Sequence, residues 1–249
     1  MRKLTTALIG LALIAAACGD DAAETPEVLT LMAHDSFADA VTAETFQAFT
    51  DDTGIAVNVL AAGDAGGMVT QAVLAAGNPV ADVMFGVDDT FLSRALDADV
   101  FTSHTSELIG SVPDSLKVGS EDWVTPISYG DVCLNYDKEW FETAQLDLPT
   151  ELDDLRDEDY AQALVVEHPA TSSPGLAFVL ATIDEFGEDG WLDYWSDLKD
   201  AGVKVAPDWT TAYYGDFTIY GGDRSLVISY ASSPPAEVIF AEEPLDEAP

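Results

Sequence analysis

Short apolar runs of strand length alternate with stretches of helical spacing along the first hundred residues, and few folds accept that alternation. Val28-Leu29-Thr30-Leu31-Met32-Ala33 is the first run, and residues 43–52 follow with helical spacing through Phe46 and Phe49, ending at Gly54. Residues 55–60 form a second run. A glycine turn over 63–67 then leads into a helix over 68–76, stopped by Gly77-Asn78-Pro79. Residues 81–86 make a third strand and residues 90–98 another helix. Strands and helices in this order build βαβ units around a mostly parallel sheet, which places the chain in the α/β class.

A second region opens near Trp123. Strands over 127–129 and 132–136 stand too close together for a helix between them, so the connection changes character here. Residues 163–167 read as a strand, 174–186 and 191–201 as helices, and 225–230 as a last strand leading to Ser232-Ser233-Pro234-Pro235. The natural division is two α/β lobes, residues 27–128 and 129–230, with residues 231–249 returning to the first. The chain crosses between lobes near 126–132 and 228–232.

The N-terminus has the parts of an export signal: basic Arg2 and Lys3, an apolar core over residues 7–17, and small Ala15-Ala16-Ala17. A bilayer-spanning helix needs about 20 apolar residues, so a cleaved leader over residues 1–17 is the better reading. Cys18 follows at once, then a polar linker through residue 26. Ile14-Ala15-Ala16-Ala17-Cys18 resembles a bacterial lipobox, which implies a lipid anchor at Cys18 and an extracytoplasmic protein tethered to the membrane. The only other cysteine, Cys133, then has no disulfide partner within the chain and reads as a small core residue.

The formal charge is −37, from 46 acidic and 9 basic residues. Such a surface cannot neutralise phosphates along a strand, which excludes nucleic acid as a partner. Disorder is excluded in turn by a content of 48% hydrophobic and 10% aromatic residues. Among function classes, catalysis lacks its usual signatures. His34, His104 and His168 show no metal-ligand spacing, so no metal site is expected. Neither a nucleophile elbow, nor a phosphate loop, nor a dinucleotide fingerprint is present.

Two stretches suit binding instead. His168-Pro169-Ala170-Thr171-Ser172-Ser173-Pro174-Gly175 sets three hydroxyls before a proline fit for a first helical turn, with Ser173 as the expected N-cap. Capping alone explains such a pattern; a small-anion pocket at the helix terminus is the other reading. Trp209, Tyr213, Tyr214, Phe217 and Tyr220 crowd one segment, and Trp209 sits between Pro207-Asp208 and Thr210-Thr211. An indole in so polar a setting faces a cleft, where it suits a flat cationic or heteroaromatic ligand.

Several stretches together resemble the thiamine-binding subunit of bacterial ABC importers, within the type II periplasmic-binding-protein superfamily. They are His34-Asp35-Ser36-Phe37, residues 81–89, Pro126-Ile127-Ser128-Tyr129-Gly130 with Asn135-Tyr136-Asp137-Lys138, and Pro169-Ala170-Thr171-Ser172-Ser173-Pro174-Gly175-Leu176. Trp209 with Ala212-Tyr213 and residues 226–234 complete the set, in family order and over most of the chain. The resemblance implies a two-lobed Venus-flytrap fold without a cofactor that binds thiamine, and its phosphates, between the lobes. It implies a monomer that hands its ligand to a membrane permease driven by an ATPase subunit.

By position, the resemblance puts Ser172 and Ser173 at the phosphate or hydroxyethyl end of the ligand and Trp209 in a stack with it. Tyr230, Ala231, Ser232 and Ser233 would line the cleft at the second crossing. An Asp-Gly pair that the family uses at a helix start appears one residue longer here, as Asp64-Ala65-Gly66, which assigns Ala65 and Gly66 to the ligand. Asp35 is a candidate carboxylate for the aminopyrimidine or the thiazolium, or else a turn aspartate. The family continues well past the second crossing, so the resemblance also implies a chain longer than 249 residues. Other solutes of this superfamily, ferric iron or a polyamine, remain open, as does an enzyme of the thiamine pathway on the same scaffold using Cys133.

Overall fold

The structure is a computed structural model that describes residues 27–241 and 245–249. The leader over 1–17, Cys18 and the linker through residue 26 lie outside the described residues. Strand β1 (Val28–Ala33) is followed by α1 (Asp35–Ala40), α2 (Gln47–Thr53), β2 (Ala56–Ala61), α3 (Ala65–Leu74), β3 (Val83–Phe85) and α4 (Asp89–Asp97). The three strands form one sheet in the order β2-β1-β3, all parallel, with Val28 opposite Ala56 and Leu31 opposite Val83. Helices supply the crossovers that parallel neighbours require.

Further along come β4 (Val132–Tyr136), α5 (Lys138–Ala144), α6 (Glu158–Ala163), β5 (Leu164–Glu167), α7 (Ser173–Ala201), β6 (Lys204–Ala206), β7 (Leu226–Tyr230) and α8 (Ser233–Ile239). A second sheet runs β4-β7-β5-β6, parallel except where β4 meets β7. The fold is that of a type II periplasmic binding protein, α/β with mostly parallel sheets.

The second sheet carries the larger core, and alternation along its central strands divides the work. Leu164, Val166, Leu226 and Ile228 pack with Phe178, Tyr194 and Leu198 of α7, while Val165 and Val227 face Ala206, Ala212, Tyr213 and Phe217 on the other side. Each such fully buried aliphatic side chain contributes about 1.5–3 kcal/mol. Around the first sheet, Ala65 and Val69 of α3 pack on Phe91 and Ala95 of α4.

Two expectations need correction. Residues 127–129 are not a strand: Ile127 and Tyr129 are 70% and 77% exposed, so nothing covers the apolar side of that segment. Helix α3 begins at Ala65, making Gly66 and Gly67 helical, because the Asp64 carboxylate accepts from Ala65 N at 2.8 Å and caps the first turn. The two helices expected over 174–201 are present as the two halves of α7, which meet at a kink where Gly187 takes φ 70° and ψ 174°. Cys133 is a free thiol, partly buried on β4. It lines an apolar groove with Leu155, Phe178 and Ile228, away from the cavity described next.

Candidate ligand-binding site

The loop before α3 meets the loops after β5 and β6, and the contacts are backbone to backbone. Gly66 N donates to Thr171 O at 2.7 Å, and a Cβ on Gly66 would lie 2.3 Å from Ala170 O. Only glycine permits so close an approach. Asp64 works on both sides of the junction: Oδ1 caps α3, and Oδ2 accepts from Trp209 N at 3.1 Å. Leu176, in the first turn of α7, packs on the Ala65, Val69 and Phe91 cluster.

A cavity of about 210 Å³ opens beside this junction, lined by Asp35, Asp39, Asp64, Asp208 and Trp209, with no lysine or arginine in its wall. Asp35 opens α1, and its Oδ1 accepts from Gly63 N at 2.8 Å. His34 also contributes. Burial holds its pKa below the ordinary value despite the opposing pull of Asp64, Asp35 and Asp88, so the imidazole is neutral near pH 7. Its Nδ1 lies 2.9 Å from Ser36 Oγ. A concave site with several carboxylates and an indole offers a cation both charge compensation and a π face.

The Trp209 ring is fixed on three sides. Its Nε1 donates to Ser229 Oγ at 2.9 Å, and its plane stacks on Tyr213 with centroids 5.0 Å apart and 14° between planes. Tyr214 meets its edge at 5.4 Å. Ser229 lies 2.9 Å from Ser233 through their hydroxyls, so Ser233 belongs to this network by way of the indole.

At the start of α7 the cap is Ser172, one residue earlier than expected, since its carbonyl accepts the first helical bond from Leu176 N. Pro174 is tolerated anywhere in the first turn, which is why its position alone does not set the cap. The Ser172 hydroxyl makes no capping bond; it is buried without a partner, and Ser173 is buried beside it. Tyr230 ends β7, and burial with Asp88, Asp64 and Glu167 nearby pushes its phenol well up, keeping it a proton donor.

The structure therefore brings Asp35 and Trp209 into one cavity wall and seats Ala65, Gly66, Ser172 and Ser173 at the junction beside it. Ala231 and Ser232 are exposed and outside that wall. Sequence reasoning missed Asp39, Asp64 and Asp208 as lining carboxylates, and Glu167 as a buried one. The signal for Asp64 was its place immediately before a helix; that for Glu167 was an acid closing an apolar strand.

Against known proteins, residues 78–234 match the family described as bacterial extracellular solute-binding protein. The chain belongs to that family. Among curated proteins, it is 28% identical over 231 residues to a thiamine-binding periplasmic protein of Brucella suis, covering 92% of this chain and 64% of the relative. It is 28% identical over 220 residues to the protein of the same name in Escherichia coli K12, covering 85% and 62%. The chain thus spans less than two thirds of the length of these relatives. A solved periplasmic thiamin binding protein superposes with a TM-score of 0.70 at 26% identity, over 87% of this chain and 65% of that one. Iron-bound HitA from Pseudomonas aeruginosa superposes at 0.65 and 25% identity, over 82% and 63%.

Proposed function

We propose that this solute-binding protein captures thiamine between its two lobes and delivers it to a membrane permease energised by an ATPase. The observation that carries this reading is the cavity wall of four aspartates and Trp209, with no lysine or arginine, at a junction of both sheets. Thiamine is a cationic heteroaromatic molecule, so carboxylates compensate its charge while the indole stacks on a ring. The names of the Brucella and Escherichia relatives support the same ligand.

In this reading the lobes are residues 27–128 and 129–230, with the remaining residues returning to the first, and closure is a hinge at the two crossings. Asp35, Ala65, Gly66, Ser172, Ser173, Trp209 and Tyr230 face the ligand; Ala231, Ser232 and Ser233 lie at the hinge beside it. The protein acts as a monomer and performs no catalysis. A lipid on Cys18 tethers it outside the cytoplasm, next to its permease.

The tyrosine grouping favours ferric iron as a second reading, because Tyr213, Tyr214 and Tyr220 are neighbours. Yet Tyr213 and Tyr220 both donate to Glu237, at 3.1 and 2.6 Å, and burial beside that carboxylate pushes both phenols well up. Phenols held protonated in this way are poor metal ligands. Calorimetric titration of the purified full chain with thiamine decides the matter: saturable heat and quenched tryptophan emission are expected, and their absence at millimolar thiamine overturns the reading.

A further inference from the structure

The supports of the Trp209 ring all lead back to one short helix. Its indole N–H goes to Ser229, whose hydroxyl lies 2.9 Å from that of Ser233 at the start of α8. Its face rests on Tyr213, which donates to Glu237 Oε1 at 3.1 Å. Its edge meets Tyr214, which packs against Tyr220 at 4.8 Å, and Tyr220 donates to Glu237 Oε2 at 2.6 Å. Ser233 and Glu237 stand one turn apart on α8 and so share one face of it.

A π-helical turn over Thr211–Asp216 is what sets two neighbouring rings against one indole. Phe217 N donates to Ala212 O at 3.1 Å, and a turn this wide brings the successive residues Tyr213 and Tyr214 both beside Trp209. Turns of this kind are found mostly at functional sites. A carboxylate only accepts, so both phenols donate to Glu237, and each ring is held by its hydroxyl as well as by packing. Burial beside that carboxylate pushes both phenols well up, which keeps them donors.

We infer that Glu237, which has no place in the cavity wall, is a positioning residue: it holds Tyr213 and Tyr220, and through them the plane in which Trp209 meets the ligand. This deepens the thiamine reading and rests on it. Attraction between an aromatic face and a flat cation depends on ring geometry, so a tilted indole loses it without leaving the cavity. Side chains that bind are only as well placed as the residues behind them, and here one carboxylate stands behind both the face and the edge of the ring.

The test is a double-mutant cycle in the full chain, read by calorimetric titration with thiamine up to millimolar concentration and by near-ultraviolet circular dichroism of the ligand-free protein. Glu237→Ala is expected to raise the thiamine dissociation constant about five- to tenfold and to weaken the dichroic band that Trp209→Ala removes. In the Trp209→Ala background the same substitution is expected to change the dissociation constant by less than about twofold, because the ring it positions is gone. Should Glu237→Ala not fold, Tyr213→Phe takes its place, since it keeps the stack and removes only the hydroxyl. A structural role alone would give equal losses in both backgrounds, and that result overturns the inference. So does a folded Glu237→Ala protein with the wild-type affinity and the wild-type band. If the wild type binds no thiamine the thiamine reading falls, and the dichroism still decides the link from Glu237 to the ring: a weakened band sustains it and an unchanged band overturns it.

Discussion

The indole Nε1 of Trp209 and the hydroxyl of Ser229 are 2.9 Å apart, so a strand of the second sheet fixes the orientation of the ring that lines the cavity. Ser229 is itself anchored by Ser233 at 2.9 Å. Replacing Ser229 with alanine strands a partly buried N–H, at a cost of about 1–3 kcal/mol. The ring then loses its fixed plane against Tyr213. The expected outcome for Ser229→Ala is a thiamine dissociation constant raised about five- to tenfold, with the melting temperature of the ligand-free protein lowered by several degrees, read by calorimetry and differential scanning. An unchanged affinity would mean that Tyr213 stacking alone holds the ring.

Gly66 tests closure directly. A methyl group there would lie 2.3 Å from Ala170 O and 2.8 Å from the Phe91 ring, and the first of these contacts is with backbone from the loop after β5. The 2.7 Å bond from Gly66 N to Thr171 O could not form at that spacing. Gly66→Ala should hold the lobes apart and weaken thiamine binding by about tenfold or more. Small-angle scattering with saturating ligand should show the variant more extended than the wild type. Equal radii of gyration would refute the closure geometry.

Glu167 also predicts a pH dependence of stability. Burial raises its folded pKa well above 4.5, with Asp64 and Asp208 adding to the rise. A group raised on folding contributes stability that is full below the unfolded value and lost as pH climbs through the folded one. The wild type should therefore lose melting temperature between pH 5 and pH 8, and Glu167→Gln should lose less. Comparing the two differences removes the common repulsion among the other carboxylates. A Glu167→Gln protein with the wild-type slope would show that this carboxyl is ionised and solvated in the folded state.

Much of the scaffold was readable in advance because its strands are apolar runs with clear stops: β1, β2, β5 and β7 fall within a residue of expectation. Periodicity failed where burial did not follow apolarity, as at Ile127 and Tyr129, which carry strand-forming side chains but no covering layer. In the site, Trp209 was legible from its polar neighbours and Ser172 from its place before a proline-led helix. Asp64, Asp208 and Glu167 were not, since an aspartate near a helix start reads as a cap and nothing local reveals that two loop acids and the strand residue Glu167 converge. Convergence is a property of how the lobes meet. The missing capping bond at Ser172, whose hydroxyl is buried without a partner, is likewise invisible to any local pattern.

Gly187 offers a control outside the site. It interrupts α7 at φ 70° and ψ 174°, a backbone region that essentially only glycine occupies. Side chains hold the two halves in place across it: Trp195 Nε1 donates to Thr182 Oγ1 at 2.9 Å, and Phe186 stacks on Tyr194 at 4.4 Å. No atom lies within 4 Å of where a Cβ would stand, so alanine meets no clash and its cost is conformational. Gly187→Ala should destabilise the protein by about 1–3 kcal/mol, a drop of several degrees in melting temperature, with the thiamine affinity of the folded fraction unchanged. If melting instead holds or rises, the helix runs straight through residue 187 in solution, and Trp195 must find another partner than Thr182.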